Sequence, residues 1–267
     1  MNIFGFTEED NSTVINSRNM LKLLTPIFLQ QYMPLSNFNG LQINFQLFTV
    51  EHRRRIYFMT DIVSAKDVTL YDLEKKFDLR LNEDRQFFPE WQADLPETNP
   101  EDRKFLDLAK SAYMNLIRYP SMPENAVKLT VLSPLLLMAN LLLPPFRIRT
   151  EASVSVTNPD ESVTIEGRID ILVLEQNLWV LVIESKRAEL SVKVGLAQIL
   201  SYMLADPASG KPCFGLITNG GSHLFLKLVP GDSPTYGMSK VFDLLNPGND
   251  LYQVLTVLKN IRQLNHE

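Results

Sequence analysis

Cysteine is nearly absent from this 267-residue chain, where Cys213 stands alone and closes no internal disulfide. The three histidines, His52, His223 and His266, are scattered, so no zinc-finger spacing exists. Long apolar runs are also missing. The greasiest stretch, LSPLLLMANLLLPPF (Leu132 to Phe146), falls short of the roughly 20 residues a bilayer span needs and is interrupted by Pro134, so a buried helix is expected and no membrane role. The opening MNIFGFTEEDN has neither the basic start nor the apolar core of a signal peptide, and with the lone cysteine this leads to an expected cytoplasmic setting. Positive charge is not in excess either. A net charge of −5 argues against a protein that coats nucleic acid by bulk electrostatics, while leaving room for a local basic groove.

With 45% hydrophobic and 21% charged residues, the chain has the composition of a globular protein with one sizeable core or two modest ones. Residues 1–90 carry no recognisable motif and are read as an N-terminal extension of unknown role. Their HRRR patch (His52 to Arg55) is more economically a solvated strand edge than a phosphate contact. MTDIVSAKDVTLYDLEKKF, from Met59, reads like a natural beginning within that stretch. Residues 91–267 form the expected functional domain.

In that domain NPEDRKFLDLAKSAYMNLIR opens with Asn99 as N-cap, Pro100 at the first helical position and two acids in the first turn, followed by apolar residues at helical spacing. SMPENAVKLTVLSPLLLMANLL predicts a second helix, kinked or broken near Pro134 and stopped by PPF. The period then changes to two. FRIRTEASVSV and VTIEGRIDILVLE alternate like half-buried strands, and LWVLVIE is nearly continuous apolar, as befits a central strand covered on both faces. Gln176 and Asn177 leave room only for a tight hairpin between the last two. ELSVKVGLAQILSYMLADP returns to helical spacing up to Pro207. KPCFGLITNGGSHLFLKLV gives two strands around an Asn219-Gly220-Gly221 turn, and NDLYQVLTVLKNIRQL a closing helix capped at Asn249 or Asp250. The expected fold class is α/β: helix, three-strand meander, helix and further strands, with a mixed central sheet flanked by helices.

One stretch concentrates charge where it is costly. GRIDILVLEQNLWVLVIESKR places Asp170 in one strand and ends the apolar strand on Glu184, with Lys186 two residues on. Residues two apart on a strand point to the same side, so Glu184 and Lys186 project together, and Asp170 reaches them from the neighbouring strand. Two such carboxylates repel unless a cation lies between them. Oxygen ligands completed by water suit magnesium or manganese, often with a phosphate group. Lys186 then stands where a fixed positive charge acts on an attacking water or on charge developing at phosphorus.

Asp170, followed fourteen positions later by Glu184-Ser185-Lys186, resembles the signature of the PD-(D/E)XK nuclease superfamily. Gln198 and Tyr202, four apart on the next helix, resemble the Q-x-x-x-Y element of the subset that includes the N-terminal nuclease domain of type I restriction enzyme R subunits. The resemblance implies a restriction-endonuclease-like core and DNA as substrate. It implies a magnesium or manganese ion on Asp170, Glu184 and the Ser185 carbonyl, and Lys186 assisting hydrolysis. Glu124 takes the place of the acid in the first core helix, and Gln198 and Tyr202 position the strand, Tyr202 offering a stacking face. Arg187, Lys193, Arg147 and Arg149 are candidate phosphate contacts. A larger restriction or repair assembly is an expected partner. Two departures matter: the Pro before the Asp is replaced by Arg168-Ile169, and no G-x-x-x-x-G-K-[ST] loop occurs, so ATP dependence does not carry over.

Structural alternatives stand beside these readings. Ser121-Met122-Pro123-Glu124 fits a capping box. Glu151 reads as a surface acid or a support for the ligands. Gln198 and Tyr202 also suit buried polar tips across a helix–sheet contact, whereas in the nuclease reading they meet the substrate strand or support the Lys186 end. The functional alternative is a catalytically inactive nuclease-fold module that binds DNA or a protein.

Overall fold

A computed structural model of the chain describes residues 61–92, 97–119, 122–176, 178–206 and 210–264. The HRRR patch, Ser121, Asn177, Pro207 and His266 lie outside the described residues. Among the described residues, eight strands form one mixed sheet: β1 (Asp61–Ser64), β2 (Arg80–Leu81), β3 (Phe146–Asn158), β4 (Val163–Glu175), β5 (Leu178–Ser185), β6 (Cys213–Thr218), β7 (Ser222–Val229) and β8 (Thr235–Asp243). Their order is β1-β4-β5-β6-β7-β8-β2, with β3 paired to β4 off that path. β5 runs parallel to β6, and β3-β4-β5 is the antiparallel meander read from the sequence. Residues 61–92, grouped above with the N-terminal extension, carry β1, α1 (Leu70–Phe77) and β2, which join this same sheet through β4 and β8. The compact unit that holds them spans Ile56–Glu267.

Helices cover both faces. On one side α2 (Pro100–Leu116), the stretch α3 (Glu124–Val127) to α4 (Ser133–Met138), and α6 (Leu251–Gln263) pack on Ile171, Val173, Leu181, Ile183, Leu216 and Phe225. On the other, α1 and α5 (Leu196–Leu204) cover Leu172, Val182, Ile217 and Leu226. The alternation Leu181, Val182, Ile183 between the two cores is why β5 reads as unbroken apolar sequence. Each such side chain contributes roughly 1.5–3 kcal/mol on burial.

Local chemistry sets the boundaries. Asn99 Oδ1 accepts the Asp102 amide at 2.7 Å and starts α2. Between α3 and α4 the chain widens into a π turn over Lys128–Leu132. Pro134 supplies no amide hydrogen, and the wider turn absorbs the loss while Ser133 Oγ bonds the Lys128 carbonyl at 2.9 Å. The kink expected near Pro134 is therefore a π turn ahead of it. Gln176 takes the left-handed conformation (φ 54°) in the β4–β5 hairpin, and Gly220 (φ 88°) does so between β6 and β7. Among the described residues no helix is long and apolar enough to cross a membrane.

His223 on β7 is fully buried, its Nε2 has no partner, and burial pushes its pKa down to about 4, against the opposing pull of Asp243 and Asp250. Between pH 4 and 6.5 the unfolded chain holds a proton that the folded one excludes, so stability rises with pH across that window and falls as pH drops through it. Urea unfolding followed from pH 4 to 7 should show His223→Gln losing a pH-dependent contribution on the order of 3 kcal/mol relative to wild type.

Candidate active site

The β4–β5 register pairs Ile171 with Ile183, and one step further along it Asp170 faces Glu184. Asp170 is held from two sides. Lys128 Nζ, from the π turn, donates to Oδ1 at 2.9 Å, while the Ser185 amide and hydroxyl donate to Oδ2 at 2.8 and 2.9 Å. Three donors on one carboxylate satisfy its oxygens in a half-buried position.

Glu184, the last residue but one of β5, is only 4% exposed; Lys186, just beyond the strand, is 8% exposed. The Lys186 amide bonds the Thr218 carbonyl at 2.7 Å, which fixes its backbone against β6. Its Nζ donates to Glu184 Oε1 and to Gln198 Oε1, each at 2.7 Å, and Gln198 Nε2 donates to the Tyr202 hydroxyl at 2.8 Å. This is a continuous polar chain from β5 into α5. Glu184 Oε2 is buried and has no hydrogen-bond partner. Burial pushes the Glu184 pKa up to about 7, with the Asp170 charge adding to it; Lys186 opposes the shift, and Glu124 adds a smaller push.

The structure therefore brings Asp170, Glu184, Ser185 and Lys186 into one polar cluster, with Glu124 near enough for its charge to act on Glu184. The helix starts at Glu124, and Pro123 occupies its cap without a side-chain bond, which replaces the capping-box reading. Gln198 and Tyr202 take a different place from that expected of strand contacts. At 5% and 1% exposure they present no stacking face, because the hydrogen bonds from Lys186 to Gln198 and from Gln198 to Tyr202 draw them inward. Arg187 and Lys193 are exposed beside the site, whereas Arg147 reaches the Gln176 carbonyl at the far end of the meander.

Sequence reasoning missed Lys128, although it stands four residues after Glu124 and thus on the same helical side. It also missed two glycines. A Cβ at Gly195 would lie 3.0 Å from Lys186 Cε and 3.6 Å from Glu184 Cγ; at Gly167 it would lie 2.5 Å from a Tyr202 ring carbon and 2.8 Å from Ala65 Cβ. These glycines let backbone press on the polar chain from two sides.

Among the described residues, no group of three or more His, Cys, Asp or Glu side chains is gathered around one ion position. The donor set nevertheless fits a hard cation of magnesium type, which takes one or two carboxylates and completes its shell with water and substrate oxygens. Asp170 and Glu184 supply the carboxylates, and the unpartnered Glu184 Oε2 is an oxygen still lacking a positive partner. No protein-family model matches the chain, and no curated protein matches it closely enough to count as a relative.

Gly167→Ala should lower stability by roughly 1–3 kcal/mol, since Tyr202 and Ala65 both have to give way. Gly231→Ala, with nothing within 4 Å, should be nearly neutral. Urea unfolding of the two variants checks the difference.

Proposed function

We propose that this protein is a metal-dependent deoxyribonuclease with a restriction-endonuclease-like core, similar to the nuclease domain of type I restriction R subunits but without their ATP-driven motor. The observation that carries the reading is the joint placement of Asp170, Glu184 and Lys186, with Lys186 fixed between Glu184 and Gln198. The order of helix, β3-β4-β5 meander, α5 and β6 supports it at the level of fold.

Asp170, Glu184 and the Ser185 carbonyl would hold magnesium or manganese, with Glu124 contributing directly or through water. The ion's chemistry there is Lewis-acid stabilisation of the charge that accumulates on the phosphoryl oxygens. Lys186 has three ammonium hydrogens and commits two, to Glu184 and Gln198, which leaves one for the attacking water or a phosphate oxygen. Water attacks phosphorus in line, the new P–O bond forms, and the P–O bond to the leaving sugar oxygen breaks. Gln198 and Tyr202 act by positioning Lys186. A groove of about 690 Å3 is lined by β4 residues Glu166, Gly167 and Arg168 and does not include the Asp170–Glu184–Lys186 cluster; Lys66, Ser64, Ser153 and Ser155 give it an ammonium and three hydroxyls suited to a phosphate backbone, against which the Glu166 carboxylate stands. Arg187 is the further exposed phosphate contact.

The alternative, a nuclease-fold module that binds without cutting, draws on the occupancy of Asp170 by Lys128 and Ser185. Supercoiled plasmid and single-stranded DNA incubated with magnesium distinguish the two. Cleavage by wild type should fall at least about 100-fold in Lys186→Ala and in Asp170→Asn. Binding without magnesium-dependent cleavage supports the module, and cleavage that survives Lys186→Ala overturns the nuclease reading.

A further inference from the structure

Three acids stand in one row across three strands. The pairs Thr150–Ile171 and Ala152–Ile169 put Glu151 opposite Asp170, and the Ile171–Ile183 pair puts Asp170 opposite Glu184. Charges so arranged repel one another and call for a cation. Lys186 meets Glu184 at one end and Arg168 stands beside Glu151 at the other, and the cation between Glu151 and Asp170 is the ammonium of Lys128. It lies 2.9 Å from Asp170 Oδ1 and 3.9 Å from Glu151 Oε1, on a side chain 18% exposed. Glu151 is the open end of the row at 56% side-chain exposure, and its other oxygen, Oε2, is 3.7 Å from Arg168. Its backbone takes φ 53° in the middle of β3, a conformation a glutamate rarely adopts, at the residue whose carboxylate meets Lys128. At the closed end Glu184 Oε2 is buried and unpartnered. Lys128 thus compensates two of the three acids and leaves the third without a counter-charge on that oxygen.

We propose that Lys128 is a built-in stand-in for the divalent cation: it occupies Asp170 Oδ1 while no ion is bound, and shifts onto Glu151 when one enters between Asp170 and Glu184. This inference rests on the metal-dependent reading above and assigns two residues that reading leaves idle. Lys128 is a competitor that sets the concentration at which the ion loads. Glu151 is the seat that receives it, and the flexible four-carbon stem of lysine covers the short distance between the two. With the ion absent, the lysine holds the Asp170 carboxylate in place, so the site does not have to assemble from repelling carboxylates.

The test is manganese binding by isothermal titration calorimetry, with thermal unfolding in parallel, neither of which depends on cleavage. Lys128→Met keeps most of the stem and removes the charge. It should bind manganese at least about tenfold more tightly than wild type, melt at lower temperature without the ion, and regain the loss when manganese is added. Lys128→Arg, which keeps the competitor, should stay near the wild-type affinity and shows whether a change comes from charge or from altered packing. Glu151→Gln should weaken manganese binding in the wild-type background and have no effect in Lys128→Met, because its role exists only through Lys128. Asp170→Asn serves as the site control. If Asp170-dependent binding occurs but is equal or weaker in Lys128→Met, the stand-in role is overturned and the metal reading survives. If neither wild type nor Lys128→Met binds manganese through Asp170, both fail together.

Discussion

An ion pair taken out of water at the end of the central strand governs the architecture around it. Glu184 and Lys186 are both buried, and such a pair is tolerable only if its remaining polar atoms find partners. Gln198 meets that need for Lys186 and passes it to Tyr202, so α5 must lie against the β5 end with Gln198 and Tyr202 facing inward. Gly167 and Gly195 follow from the same constraint, because a Cβ at Gly167 would meet Tyr202 at 2.5 Å and one at Gly195 would press on Lys186 at 3.0 Å. One strand end thereby dictates a helix orientation and two small residues on different elements.

Asp170 shows the complementary device. Its carboxylate is satisfied locally by the backbone and side chain of Ser185 and, from the π turn between α3 and α4, by Lys128. The two acids are treated differently: Asp170 is fully supplied with donors, while Glu184 keeps one buried oxygen bare and has its pKa raised to about 7. That asymmetry within a few ångströms marks the pair as more than a packing solution, since a strand end built only for stability gains nothing from an unpartnered carboxylate oxygen.

Much of this was legible in the residues. The change from helical to alternating period located β3, β4 and β5, and the apolar run ahead of Glu184 identified β5 as central. The interval from Asp170 to Glu184 spans a two-residue turn, which alone would set Asp170 opposite Ile183; the register shift between Val173 and Leu174, which the sequence does not show, moves it opposite Glu184. The rest was hidden for physical reasons. β1 and β2 are only four and two residues long, too short for a pattern to emerge, and they join the sheet by parallel pairing to distant strands. β8 alternates around Gly237 and Lys240 and lacks a clean apolar stripe. Lys128 sits in a π turn whose geometry no helical wheel anticipates, and Tyr202 reads as a stacking face until its hydroxyl is seen inside the core.

The account depends on Asp170 and Glu184 accepting one divalent ion beside Lys186. Anomalous scattering from crystals soaked in manganese tests this most directly. The account predicts a single peak at direct ligand distance from both carboxylates, with Lys128 no longer on Asp170. A map without a peak there, or with manganese bound only at exposed acids elsewhere, would contradict it.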